Sequence, residues 1–133
     1  MPLILLVGPD EGVLEGVAQM LAAAGLRAST AADLAEALAV ANERAPLLLV
    51  VERSLAAHVS TLASRLKPGG AVIVYRTAGE ATPLLGSERR FVLAELTLPL
   101  ERQRLLALAQ SLAARVRATG RSKLDTPPER PHY

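Results

Sequence analysis

The chain has 133 residues, of which 50% are hydrophobic and 2% aromatic, with a formal net charge of +2 and no cysteine. This length and hydrophobic content fit a single domain with an aliphatic core. The absence of cysteine excludes disulfides, thiolate metal sites and cysteine nucleophiles. The small net charge and the scarcity of aromatic residues argue against a nucleic-acid partner.

Continuous apolar runs predict the strands of a sheet. Three runs contain no alternating polar residues: Leu3–Val7, Leu47–Val51 and Ala71–Tyr75. Runs of this kind are typical of strands that are covered on both faces, as in a parallel sheet. Two weaker runs, Leu26–Thr30 and Phe91–Thr97, predict a second and a fifth strand.

Apolar residues at intervals of three or four predict helices between the strands. The first helix is expected to begin after Asp10, whose carboxylate would cap it, and to end at Gly25. Ala32–Arg44 predicts the second helix, and an apolar stripe that starts at Leu55 predicts the third. The last helix is expected to end before Gly120.

The alternation of strands and helices predicts an α/β fold with a doubly wound parallel sheet. Pro83 and Gly86 interrupt the segment Ala78–Arg90, so any helix there should be short or irregular. Residues 1–119 are expected to form the domain, and residues 120–133 a disordered tail or linker. No apolar run reaches the roughly 18 residues that span a bilayer, so no membrane partner is expected.

Several segments resemble response-regulator receiver domains of the CheY-like family. Residues 25–38 read GLRASTAADLAEAL, similar to the second strand and second helix of that family, in which a glycine opens the strand and Glu-Ala-Leu lies near the helix start. Ala45-Pro46 before an apolar run resembles the entry to the third strand, and Leu98-Pro99 the Lys-Pro that ends the fifth. The resemblance covers residues 2–118 and implies a flavodoxin-like (βα)5 sheet of order 2-1-3-4-5.

The positions that carry phosphorylation in this family do not match it. The two acidic Mg²⁺ ligands that end the first strand correspond to Gly8 and Pro9, which offer no side-chain oxygen. The phosphoacceptor aspartate corresponds to Glu52, which is one methylene longer. The Thr or Ser that senses the phosphoryl group corresponds to Arg76, and the lysine that clamps it to Leu98.

Neighbouring residues leave alternatives open at this degenerate pocket. Asp10 is either a helix cap or a displaced metal ligand, and Thr77 replaces the sensing residue only if its strand shifts register. Pro99 keeps the family's proline after the missing lysine. Glu52 and Arg76 lie at adjacent strand ends, and their opposite charges suggest an ion pair that would fix one conformation. The alternative is that both side chains point into water, where such a pair contributes little.

In the receiver family, the face formed by the fourth helix, fifth strand and fifth helix commonly binds partners. The aromatic switch position on that fifth strand corresponds to Glu95. An apolar strip on the last helix could extend the same face, although ordinary core packing explains it equally well. The candidate interaction surface comprises Glu95, Leu105, Leu108, Leu112 and Val116.

A receiver-like domain without its pocket implies a pseudo-receiver, which is a phosphorylation-independent module for signalling and protein interaction in a two-component pathway. We expect no catalysis, metal or cofactor, a cytoplasmic location, and a protein partner or a second copy of the chain. One alternative is a residual phosphoacceptor receiver that uses Glu52. Another is a flavodoxin-like domain that binds a small molecule in a cleft near Gly8, Glu52 and Arg76.

Overall fold

The computed structural model describes residues 2–77 and 92–125, with side chains described as far as residue 116 in the last helix. Five strands are present in this part of the chain: β1 (Leu3–Val7), β2 (Arg27–Ala31), β3 (Leu48–Glu52), β4 (Ala71–Thr77) and β5 (Val92–Leu98). They form one parallel sheet in the order β2-β1-β3-β4-β5. The predicted fold class and strand order are therefore confirmed.

Helices cover both faces of this sheet. The described helices are α1 (Glu11–Ala23), α2 (Leu34–Glu43), a 3₁₀ helix (Arg53–His58) that leads into α3 (Val59–Ala63), and α4 (Arg102–Asp125). One buried cluster joins the sheet to α1 and α4, and a second joins the opposite face to α2 and α3. Every residue of β1 and β3 is buried, which explains why the central strands read as unbroken apolar runs.

The starts of α1 and α2 differ, although an aspartate precedes each helix. Asp33 has extended backbone geometry, and its Oδ1 accepts the backbone N–H of Glu36 at 2.9 Å. The Glu36 carboxylate in turn accepts the N–H of Ala32 at 2.7 Å, which completes a capping box. Asp10 has φ −86° and ψ 74° and makes no side-chain cap hydrogen bond, so the predicted carboxylate cap is wrong. Its backbone lies outside the extended region that directs a side-chain oxygen at the first turn.

The ends of two helices also bear on the predictions. Gly25, which follows the C-cap residue Ala24 of α1, has φ +85°, the left-handed geometry expected just beyond the end of a helix. By contrast, α4 continues through Gly120 to Asp125, so the predicted helix end at Gly120 is wrong. A glycine inside a helix costs only about 1 kcal/mol, which one glycine in a long helix can absorb. The segments 78–91 and 126–133, which include most of the predicted irregular helix and tail, lie outside the described residues.

None of the helices in the described ranges combines the length and the hydropathy needed to cross a bilayer.

Candidate functional site

The carboxyl ends of the strands bring the predicted pocket positions to one edge of the sheet. Gly8 directly follows β1, Glu52 ends β3 and Leu98 ends β5, and all three are buried. Arg76 and Thr77 are the last two residues of β4 and are half-buried. The other three positions lie next to these strand ends, where Pro9 and Pro99 are exposed and Asp10 is half-buried.

Glu52 is the one buried polar or charged side chain among residues 2–77 and 92–116, with 5% of its surface exposed. Its Oε1 accepts the backbone N–H of Ser54 at 2.7 Å and also the Ser54 hydroxyl. Glu52 thereby caps the 3₁₀ helix that begins at the next residue. The carboxylate at the phosphoacceptor position is thus held by hydrogen bonds from Ser54, two residues further along the chain.

The proposed ion pair between Glu52 and Arg76 is absent, so that hypothesis is wrong. Glu52 is in register with Tyr75, and Arg76 is therefore one residue further along β4. Because successive side chains of a strand point to opposite faces, Glu52 and Arg76 diverge. The Arg76 Nε instead donates to the Thr97 hydroxyl at 3.4 Å, on the neighbouring strand β5. The sequence identified complementary charges but not the register that separates them.

A small polar cluster at the start of α4 was not predicted from the sequence. The backbone N–H of Thr97 donates to Glu101 Oε1 at 2.7 Å, and Arg104 Nη1 lies 3.4 Å from Glu101 Oε2. The hydrogen bond from Thr97 lowers the pKa of Glu101, and the positive charges of Arg104 and Arg76 lower it further. Arg76 therefore acts electrostatically on the start of α4, on the β5 side of the site.

Strand β5 defines the surroundings of the lysine position and of Thr77. Leu98 is 0% exposed and belongs to the cluster that α1 and α4 cover, so an apolar core residue stands where the family clamps a phosphoryl group. The β4–β5 register runs without a shift from Ile73 to Thr77, where Thr77 pairs with Leu98. Thr77 lies two residues beyond Tyr75, the β4 partner of Glu52, and therefore points to the same face of the sheet as Glu52.

Tyr75 is a site residue that was not predicted. Its side chain is 0% exposed, and a Cβ built on Gly8 would lie 2.2 Å from the Tyr75 phenol oxygen. The same Cβ would lie 2.8 Å from Cβ of Glu52. The phenol therefore occupies the volume that any side chain at position 8 would need. A tyrosine in an aliphatic strand was a visible signal, but its reach across β3 to Gly8 depends on the packed structure.

The residues present do not fit the divalent cation that receiver domains hold here. Mg²⁺ prefers oxygen ligands, usually carboxylates and water. Gly8 and Pro9 supply no side-chain oxygen, and Glu52 Oε1 is already bonded to Ser54. The nearest other carboxylate along the chain is Asp10, at the start of α1. Within the described ranges, no group of three or more His, Asp or Glu side chains could hold a metal ion.

The candidate interaction surface on α4 is partly buried. Leu105 is 0% and Leu112 is 5% exposed, and both belong to the core cluster on the α1 side of the sheet. Their assignment to a surface is wrong, because their spacing marks the face of α4 that packs on the sheet. Leu108 and Val116 are half-buried against the same cluster. Glu95 is half-buried in β5.

The exposed large hydrophobic residues of the described chain lie near β5 instead. Leu93 in β5 is 57% exposed, and Leu100, in the turn between β5 and α4, is 75% exposed. Isolated exposed leucines are common on folded proteins and do not by themselves define an interface.

No protein-family model and no curated protein matches the chain. Among solved structures, the receiver domain of NtrX from Brucella abortus is 25% identical, covers 82% of this chain and 96% of that one, and has a TM-score of 0.70. A longer NtrX structure from the same organism, in complex with ATP, is 26% identical over 93% of this chain, with a TM-score of 0.74. This chain spans only 29% of that longer one.

A more distant neighbour is a response regulator receiver domain protein from Clostridium thermocellum, with 17% identity and a TM-score of 0.71. It matches 90% of this chain and 99% of its own length. Together with the strand order, these neighbours show that the chain has the fold of CheY-like response-regulator receiver domains.

Proposed function

We propose that the chain is a pseudo-receiver, a receiver-type domain that passes on a signal by binding a protein partner without being phosphorylated. The observation that carries this proposal is the state of Glu52. Its carboxylate is 5% exposed, and Oε1 is bonded to both donors of Ser54. A phosphoacceptor oxygen must instead approach a phosphoryl donor in line, and catalysis tolerates misplacement of about 1 Å poorly.

The charges that would assist phosphoryl transfer also support the proposal. Catalysis of this reaction depends on positive groups that neutralise the transferring phosphoryl oxygens. The lysine position holds the buried Leu98. The one cation at a matched position, Arg76, donates to Thr97. We therefore propose that this domain is not an enzyme and does not catalyse its own phosphorylation.

The test is incubation with acetyl phosphate and Mg²⁺, and separately with beryllofluoride and Mg²⁺, followed by intact-mass measurement and ¹H–¹⁵N spectra. We expect no gain in mass and no shift of the amides around Glu52. A receiver domain that is known to be phosphorylated serves as positive control. A gain in mass that disappears in Glu52→Gln would overturn the proposal and support the residual phosphoacceptor instead.

The packing at the strand ends does not favour the small-molecule alternative. A cleft was expected near Gly8, Glu52 and Arg76. Gly8 and Glu52 are buried, and the Tyr75 phenol fills the space beside them. A ligand would have to displace packed side chains at this position.

The partner in this proposal is a protein. It is either a separate signalling protein in the cytoplasm or an output domain of the same polypeptide. A second copy of this chain is the remaining candidate. Light scattering at increasing protein concentration tests that candidate, because a homodimer doubles the measured mass.

A further inference from the structure

We infer that Tyr75 is a built-in plug that keeps divalent cations out of the receiver metal position. The inference rests on the proposed function and deepens it, because it assigns the closure of the site to one side chain. Gly8 and Tyr75 would then be a coupled pair, in which the tyrosine is compatible only with glycine at position 8. Restoring an acidic residue at position 8 alone should therefore not restore a metal site.

The contacts around Gly8 carry this inference. An added Cβ would lie 2.2 Å from the Tyr75 phenol oxygen and 3.1 Å from Cζ of the same ring. It would also lie 2.8 Å from Cβ of Glu52. Carbon atoms in optimal contact are about 3.5–4.0 Å apart, so all three approaches are too close.

Neither Tyr75 nor Glu52 can move away from an added Cβ at a small cost in free energy. The Tyr75 side chain is rigid, 0% exposed and part of the core cluster that also holds Leu6 and Leu98. Glu52 presents a Cβ atom, whose position is set by the backbone of β3. Protein interiors are packed to near-crystalline density, so a shift of this buried ring would displace neighbouring side chains.

A double-mutant cycle between Gly8→Ala and Tyr75→Val measures the coupling. In the wild-type background, we expect Gly8→Ala to raise the unfolding equilibrium constant about 30-fold, as overpacking of a core does. In the Tyr75→Val background, the same change should cost about fivefold or less, because only the Glu52 contact remains. An equal cost in both backgrounds would overturn the inference.

Gly16→Ala is the matched control. Gly16 lies in α1, and an added Cβ there would meet nothing within 4 Å. Its substitution should therefore act equally in both backgrounds. If Tyr75→Val unfolds the domain, Tyr75→Phe removes the atom at 2.2 Å and leaves the ring carbon at 3.1 Å. In the unaltered protein, nuclear Overhauser effects should join the Tyr75 ring to the Gly8 α-protons, and their absence would overturn the inference without any variant.

Binding of Mn²⁺ tests the exclusion of the cation itself. Paramagnetic broadening of the amides near residue 8 is compared in the wild type, Gly8→Asp, and Gly8→Asp combined with Tyr75→Val. We expect site-specific broadening only in the double variant, in which the added carboxylate lies near Glu52 and no longer meets the phenol oxygen. Equal behaviour of Gly8→Asp with and without Tyr75→Val, whether both bind Mn²⁺ or neither does, overturns the plug.

The two proposals fail in different ways. Phosphorylation that depends on Glu52 would contradict the proposed pseudo-receiver function, regardless of the coupling between Gly8 and Tyr75. A double-mutant cycle without coupling between Gly8 and Tyr75 would contradict the inference about Tyr75. An unchanged mass after incubation with acetyl phosphate would still support the pseudo-receiver function in that case.

Discussion

Replacing Glu52 tests whether its carboxylate is a structural anchor. In Glu52→Ala the 3₁₀ helix loses its cap, and the Ser54 hydroxyl loses its acceptor. Loss of an N-cap costs about 0.5–2 kcal/mol, and loss of a hydrogen bond about 1 kcal/mol. We therefore expect Glu52→Ala to lower the free energy of unfolding by about 2 kcal/mol, or the midpoint temperature by about 8 °C.

Two further variants divide this effect between charge and hydrogen bonding. Glu52→Gln keeps an acceptor oxygen at the same reach and loses only the charge, so it should cost about 1 kcal/mol. Ser54→Ala keeps the backbone N–H bond to Glu52 and removes the hydroxyl bond, so it should cost less than about 1 kcal/mol.

Urea unfolding followed by circular dichroism gives these free energies, provided that the dependence on urea is the same for all variants. The expected order of stability is wild type, then Glu52→Gln, then Glu52→Ala. A Glu52→Ala variant as stable as the wild type would refute the reasoning. It would mean that burying this carboxylate costs as much free energy as its hydrogen bonds return.

Three other predictions concern the caps, the acid at the start of α4, and the core. Asp33→Ala should cost about 1 kcal/mol because its carboxylate caps α2, whereas Asp10→Ala should cost well under about 0.5 kcal/mol; equal shifts in the urea midpoint would contradict the cap assignment. The pKa of Glu101 is lowered from its ordinary value of 4.5, chiefly by a hydrogen bond from a backbone N–H, so its contribution to stability is present above that value and is lost as the pH falls through the folded pKa. Unfolding at about pH 7 and about pH 3 should therefore show Glu101→Gln less stable than the wild type only at the higher pH; a gap of constant size would contradict this. Leu105→Ala should cost about 2–5 kcal/mol because Leu105 is fully buried, and Leu108→Ala clearly less; the reverse order would return Leu105 to the surface.

The sheet could be predicted from the sequence because its central strands are covered on both faces. The run Leu3–Val7 matches β1 residue for residue, and the other runs differ from their strands by one or two residues at the ends. Strand ends depend on hydrogen bonds with neighbours, which a single sequence does not show. The weakest run, Leu26–Thr30, corresponds to the edge strand β2, where Arg27 is exposed and polar residues replace aliphatic ones.

The site could be predicted in its positions but not in its contacts. The topology alone places Gly8, Glu52 and the ends of β4 and β5 at one edge of the sheet, and the structure confirms that placement. The ion pair failed because a difference of one residue in register sends Arg76 to the opposite face from Glu52. The role of Tyr75 depends on how far its ring reaches across the neighbouring strand β3. The spacing of residues in the sequence does not give that distance.

The last helix shows the limit of pattern reading on a helix surface. A stripe of leucines at intervals of three or four identifies one face of α4 but not what covers it. The structure covers Leu105 and Leu112 with the sheet and leaves Leu108 half-buried. The exposed Leu100 lies outside any stripe, in the turn before the helix, so periodicity could not single it out.

The fit of Tyr75 over Gly8 also limits the order in which mutations can accumulate. A chain with an acidic residue at position 8 and tyrosine at position 75 would place two groups in one volume. Any path of single substitutions between this pocket and one with a carboxylate at position 8 must therefore pass through glycine at 8 with a smaller residue at 75. Under the proposed coupling, an acidic residue introduced at position 8 before any change at position 75 should give a destabilised protein, so Tyr75 constrains the order of substitutions at this site.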